Sequence, residues 1–263
     1  MLKSKTQHRV FVTVVLVLIG LLLSSWAPGG DLPSSGYNKE KSKVLKKVLK
    51  RGFLRCGIAP DNSPPFRYLN EEGQLEGFDI DFCKALAVAI FDDDTQVEYV
   101  IPADWPDRFT HVRNGDADVG FSIASFTASR DSDLDVDFPV MYFYDNFGGY
   151  TDALSPVVAH GDQQWSDIVR WVVYGMIVAE ELGVDSENVL AMLNSQDPRV
   201  RSLLGLQDDI GEKLGLQNDF MVNVIHSAGN YEEVYETYFG PRPEGSLDLL
   251  WSEGCLLYAP SWP

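Results

Sequence analysis

Histidine occurs only four times in these 263 residues, and no Cys-x-x-Cys pair accompanies it, so nothing supplies the nitrogen and sulfur ligands of a structural zinc site. No Gly-x-Ser-x-Gly elbow, phosphate-binding loop or dinucleotide fingerprint occurs either, which removes the common nucleophilic and nucleotide-dependent chemistries. Dense carboxylates include Glu180-Glu181 and the run Asp131, Asp133, Asp135 and Asp137. The second run alternates as an exposed acidic segment does, and neither offers the convergent acid and base that catalysis needs. The chain is therefore read as non-enzymatic, with no catalytic residue, cofactor or metal. Positive charge is also scarce: ten of the 21 Lys and Arg precede Gly52, leaving eleven against 37 of the 39 acids. Such a body repels nucleic acid and anionic lipid. No internal repeat is present.

The positive charge that exists is placed early. Lys3, Lys5 and Arg9 precede a largely apolar stretch over 10–23, short for a bilayer span and of the length of a signal-peptide core. Residues 1–27 read as an export signal ending at Ser25-Trp26-Ala27, with a membrane anchor as the alternative because Pro28 follows that site. The expected location is the periplasm or the outer face of the cytoplasmic membrane. No cysteine follows the apolar run, so lipoprotein attachment is not indicated. Residues 28–41, rich in Gly, Pro, Ser and charge, read as a linker. Over 39–51, Val44, Leu45, Val48 and Leu49 recur at helical spacing, so a basic helix docks there while its lysines stay solvated; a membrane-surface helix is the alternative.

An exported chain with three cysteines permits one disulfide and one leftover thiol. Cys56 lies in an apolar strand-like run and Cys83 in an apolar helical run, so both face one core and a bridge between them is expected, leaving Cys255 free. The hydrophobic pattern predicts strands over 53–58, 97–101 and 118–123, with helices over 79–90 and 105–113 between them. That alternation implies a parallel α/β sheet with right-handed crossovers. Further strands are expected over 138–144 and 156–159. Beyond residue 162 the pattern turns helical: a long helix over 165–182 burying Trp165, Ile168, Val172 and Ile177, then shorter ones through 203, over 220–228 and over 231–239. Gly205, Gly211 and Gly215 are spaced like helix ends.

Three stretches carry a resemblance. They are Leu54-Arg55-Cys56-Gly57 with Gly77-Phe78-Asp79-Ile80-Asp81; Arg108-Phe109 through Asn114-Gly115-Asp116-Ala117-Asp118 to Thr127-Ala128-Ser129-Arg130; and Gln164-Trp165-Ser166-Asp167-Ile168-Val169-Arg170-Trp171 with Gly229-Asn230-Tyr231-Glu232-Glu233 and Leu256-Leu257-Tyr258-Ala259-Pro260. Together they resemble the family 3 periplasmic solute-binding proteins, specifically general L-amino-acid-binding proteins of the AapJ type. The resemblance implies a type II periplasmic-binding-protein fold, capture of a polar or acidic L-amino acid, and delivery to an ABC permease. One departure is large. In that family a strand like 141–150 leads into a whole second α/β lobe that returns through a strand like 155–162, yet only residues 151–154 stand between them here. Four residues cannot build a lobe when one parallel crossover needs a dozen or more. The expected architecture is one lobe over 42–162 with a truncated crossover at 151–154, and a helical completion of that lobe over 163–263.

The resemblance places Arg130 at the carboxylate-binding arginine, Ser125 at a hydroxyl donor and Ser122 at another polar lining position. A guanidinium suits the task, since its planar fork gives two parallel charge-assisted bonds and keeps its proton. Thr127 is positioned to cap the short helix that carries Arg130. The bland alternative pairs Arg130 with Asp131 or Asp133 on the surface and leaves Ser125 an ordinary turn serine. Asp61, in the loop after the first strand, is the candidate for the ligand's ammonium, and Phe66 for shielding it; a solvated aspartate and a packing phenylalanine are the alternatives. The acid that the second lobe supplies to the ammonium is missing, so weakened binding is expected. A second functional reading is a tethered interaction domain that self-associates through a bared aromatic crevice of Tyr142, Phe143, Tyr144, Phe147 and Tyr150.

Overall fold

The chain enters its fold where the helical apolar period begins. The computed structural model describes residues 41–147 and 150–262, so the expected signal or anchor and nearly all of the expected linker lie outside the described residues. Ser42 caps helix α1 (Lys43–Arg51), its side chain accepting from the Leu45 N–H. Leu45 and Val48 are buried, but Leu49, expected to dock with them, is 50% exposed; a helix of nine residues presents only a narrow inward stripe at i and i+3.

Strand β1 (Leu54–Gly57) pairs in parallel with β4 (Val97–Val100) on one side and β5 (Val119–Gly120) on the other. The short hairpin β2 (Tyr68–Leu69) and β3 (Leu75–Glu76) and helix α2 (Phe78–Phe91) connect β1 to β4, and α3 (Asp107–Asn114) connects β4 to β5. The order β4-β1-β5 reverses the winding direction at β1, which opens a crevice at the carboxyl ends of β1 and β5. The strand expected over 118–123 is cut to two residues because Ile123 adopts φ 53 and turns the chain off the sheet. Beyond β5 the returning chain pairs antiparallel, Gly120 with Val157, and β6 (Val136–Asp137) with β9 (Val158–Ala159).

Helix α2 is the centre of the core, with Phe78, Ile80, Phe82, Cys83 and Ala85 all fully buried. Gly77 begins it at φ +137, where a Cβ would stand 2.2 Å from the Phe66 carbonyl oxygen, so only glycine permits that approach. Cys56 of β1 and Cys83 of α2 form the expected disulfide, and Cys255 is free.

The strand expected over 138–144 starts later. It is β7 (Phe143–Phe147), antiparallel to β8 (Tyr150–Leu154), with Phe143 opposite Leu154 and Phe147 opposite Tyr150. The segment expected as a truncated crossover is thus the second strand of a hairpin, which satisfies its backbone groups without a lobe. The expected bared aromatic crevice is corrected at two of its five residues. Tyr142 is fully buried and Phe143 is 7% exposed; Tyr231 donates its hydroxyl to the Tyr142 carbonyl, and Phe143 stacks on Tyr235 and Phe239. The side chains of Phe147 and Tyr150 lie outside the described residues.

Helix α5 (Gln163–Glu181) buries Trp165, Ile168, Val172 and Ile177 as expected. Its cap, Asp162, also accepts from the Ser42 hydroxyl and the Val44 N–H, joining the starts of α1 and α5. Helices α6 (Val189–Met192), α7 (Pro198–Leu203), α8 (Ile210–Leu214), α9 (Phe220–Ala228) and α10 (Tyr231–Phe239) follow, with α9 against α2 and α5 and α10 against α5. Gly205 and Gly215 do stand at helix ends; Gly211 lies inside α8, where a Cβ would fall 2.0 Å from the Gln217 carbonyl oxygen.

Candidate functional site

The loop that leaves β5 carries most of the polar groups at the carboxyl edge. Thr127 caps the following helix α4 (Ala128–Asp133), accepting from the Arg130 N–H at 3.3 Å. The Arg130 guanidinium donates from Nη1 to the Ser125 carbonyl at 2.7 Å and stands 5.4 Å from the centre of the Phe109 ring. It forms no ion pair with Asp131 or Asp133. A second guanidinium shares that ring: Arg108 lies 4.8 Å from Phe109 and 5.0 Å from Trp105, and its Nη1 donates to the Ser122 carbonyl at 3.0 Å. Arg108 is 8% exposed and its Nε has no partner. Burial, and next the charge of Arg130 beside it, pulls its pKa down to about 10, so it stays charged at neutral pH. Among the described residues neither arginine has a carboxylate at ion-pair distance. Two like charges held over one ring in a partly dry crevice favour an anion between or beside them.

The loop's shape is fixed from α2. Asp79 is fully buried, and its carboxylate accepts from the Ile123 N–H at 3.2 Å and from the Tyr142 hydroxyl. Burial raises its pKa to about 7 against the lowering effect of those bonds and of Arg108. The bond to Ile123 holds a β-branched residue at φ 53, a strained conformation that needs such over-determination. The other wall is β8: Phe126 N–H donates to the Ala153 carbonyl at 2.9 Å, Ser155 N–H to the Ala124 carbonyl at 3.0 Å, and Ser125 Oγ to Asp152 Oδ2 at 2.6 Å.

Of the expected residues, Arg130, Ser125, Ser122 and Thr127 lie together on this loop. Asp61 reaches the same edge from β1 but is exposed and accepts from Trp105 Nε1 at 3.0 Å, so its partner is an indole. Phe66, half-buried, packs edge-on against Phe78, Phe143 and Phe239 at 6.0, 5.0 and 5.4 Å, the contacts that the packing alternative expects. Reading by residue type missed Arg108, Trp105, Asp79 and Asp152. The one available signal was an arginine next to a phenylalanine in an acid-rich body. A cavity of about 470 Å³ among the later helices, lined by Leu193, Leu204, Leu216, Val222, Glu212 and Asn218, includes none of these groups.

A one-lobe parallel sheet with its polar crevice at the switch point is a fold of the type II periplasmic-binding-protein class. The chain belongs to the bacterial extracellular solute-binding proteins, family 3, whose family description matches residues 54–197. It is 28% identical to the general L-amino acid-binding periplasmic protein AapJ of Rhizobium johnstonii, over 90% of this chain and 98% of that protein. It is 29% identical to the glutamate/glutamine/aspartate/asparagine-binding protein BztA of Rhodobacter capsulatus, over 83% of this chain and 93% of that protein. Among solved structures, a Brucella ovis ABC transporter/periplasmic binding protein with glutathione bound superposes with a TM-score of 0.76 at 25% identity, covering 83% of this chain and 99% of the other. The match to AapJ runs over 344 positions, against 263 residues here, so at least 81 positions of that relative face a gap.

Proposed function

We propose that the chain is an extracytoplasmic amino-acid-binding component of an ABC importer, taking a polar or acidic L-amino acid at the carboxyl edge of its sheet and catalysing nothing. The observation that carries this reading is the pair of guanidiniums over Phe109, anchored to backbone carbonyls and, among the described residues, free of carboxylates. Arg130 is the group for the ligand's carboxylate, with the Ser125 hydroxyl beside it and Arg108 reinforcing the field. Thr127 positions Arg130 by capping its helix. The relatives' names support both the ligand class and the ABC permease as partner. With one lobe, no second face closes over the ligand, so water stays in contact with it and each charged bond is worth less. Affinity is therefore lower than in two-lobed relatives. The self-associating interaction domain loses its main support, because Tyr142 and Phe143 are buried.

Calorimetry on the exported form with L-glutamine and L-glutamate tests the proposal. Saturable binding, weaker than that of a two-lobed relative measured alongside and abolished by Arg130→Ala, is expected. Absence of binding at millimolar ligand, or binding indifferent to Arg130→Ala, overturns it.

A further inference from the structure

The loss of a lobe removes one wall of the crevice and brings another residue into it. Asp152 stands in β8, the strand that replaces the missing connection, and its Oδ2 accepts from Ser125 Oγ at 2.6 Å. The same serine's carbonyl holds Arg130 Nη1 at 2.7 Å. One residue therefore carries a cation on its backbone and an anion on its side chain, with no ion pair closing the gap between them. Asp152 has a further unsatisfied feature. Its register partner across the hairpin is Asp145, and like charges directly opposite on an antiparallel pair destabilise it. A positive group seated at that rung would relieve the repulsion. On the other side, the buried Arg108 with its unpartnered Nε repels Arg130 in the same way, and a negative group would relieve that. The charges, which have no opposite charge at ion-pair distance among the described residues, thus form a doublet, negative on β8 and positive on the loop after β5, bridged by Ser125.

We propose that Asp152 is the acceptor for the α-ammonium of the bound amino acid, so that the shortened connection between β7 and β8 itself supplies an acid that the absent lobe cannot. The inference rests on the reading of Arg130 as the carboxylate partner. A zwitterion laid across Ser125 places its carboxylate on Arg130 and its ammonium on Asp152, with the side chain directed away from the sheet. An α-amino acid fits this doublet better than a simple carboxylic acid does.

The test compares L-glutamine with 5-amino-5-oxopentanoic acid, the same molecule without its α-ammonium, by ligand-detected NMR titration of the whole exported chain. Asp152→Asn keeps an acceptor for Ser125 and removes the charge opposite Asp145, so its melting temperature should equal or exceed that of the parent. Expected is a loss of about tenfold or more in L-glutamine affinity, the scale of one hydrogen bond to a charged group, with the affinity for the deamino acid unchanged. Arg130→Ala should weaken both ligands. Should Asp152→Asn weaken both ligands equally, or neither, Asp152 does not meet the ammonium, while the amino-acid reading stands. Should neither ligand bind the parent chain, both readings fall.

Discussion

Two arginines of this chain are buried to a similar extent and live in opposite surroundings. Arg242, in the helical part, has a side chain 4% exposed and meets Glu180 at 2.5 Å and Glu232 at 3.3 Å, while its Nη1 donates to the Asp248 carbonyl at 2.7 Å. Arg108, at the sheet edge, is 8% exposed and meets aromatic faces, one carbonyl and a like charge. The helical part thus resolves its charges internally, as a structural element does. The sheet edge leaves them without carboxylate partners among the described residues, as the proposed ligand site requires. Burial alone does not separate the two; the partners do.

The largest test of that contrast is Arg242→Ala, which strands the Glu180 carboxylate inside the protein. A loss of about 3–5 kcal/mol is expected from breaking a buried pair, read as a lower urea midpoint, whereas Arg108→Met should cost clearly less and chiefly impair ligand binding. Equal losses would dissolve the distinction. The edge side is held by covalent and apolar ties instead. Reduction of Cys56–Cys83, which closes a separation of 27 residues, should cost about 2–4 kcal/mol by the same unfolding measurement.

A smaller effect is read through pH. Burial holds Asp79, Glu180 and Asp248 at about 7 in the folded chain, above their unfolded values near 4. Their contribution is fully present below the unfolded pKa and is lost as pH rises through about 7. Asp79→Asn, which stays neutral, should therefore gain stability relative to the parent between pH 5 and pH 8, seen as a converging or crossing pair of melting curves. A parallel pair would place Asp79 outside that window. The smallest effect is Thr127→Ala, expected to cost about 0.5–1 kcal/mol as a lost helix cap while loosening Arg130 enough to weaken ligand binding as well.

What the sequence disclosed follows from periodicity. The apolar run of α2 and the long stripe of α5 are each read by one dominant neighbour surface, and the Cys56–Cys83 bond follows from placing both sulfurs on one core. Leu49 and Gly211 depart from their expected places because spacing gives a face but not how much of it is covered. The hairpin was hidden for another reason. Residues 138–144 look like a strand by composition, but strand pairing is decided by which segments meet, and here Phe143 meets Leu154. At the candidate site, the resemblance placed Arg130, Ser125 and Ser122 on one loop. Arg108 and Asp152 were not legible, since a residue type tells nothing of the ring it lies on or the serine whose hydroxyl donates a hydrogen bond to it. Phe66 reads equally well as lid or core until its three aromatic neighbours are known.

The hairpin formed by β7 and β8 has one more implication. Phe147 and Tyr150 are register partners, so a polypeptide departing after the first and rejoining before the second would exit and re-enter through a single rung, with Cα atoms roughly 5 Å apart. A guest module whose own ends lie side by side matches that spacing. The scaffold is in that respect a socket, into which a lobe, a fluorescent reporter or a binding peptide can be plugged without rewiring the sheet.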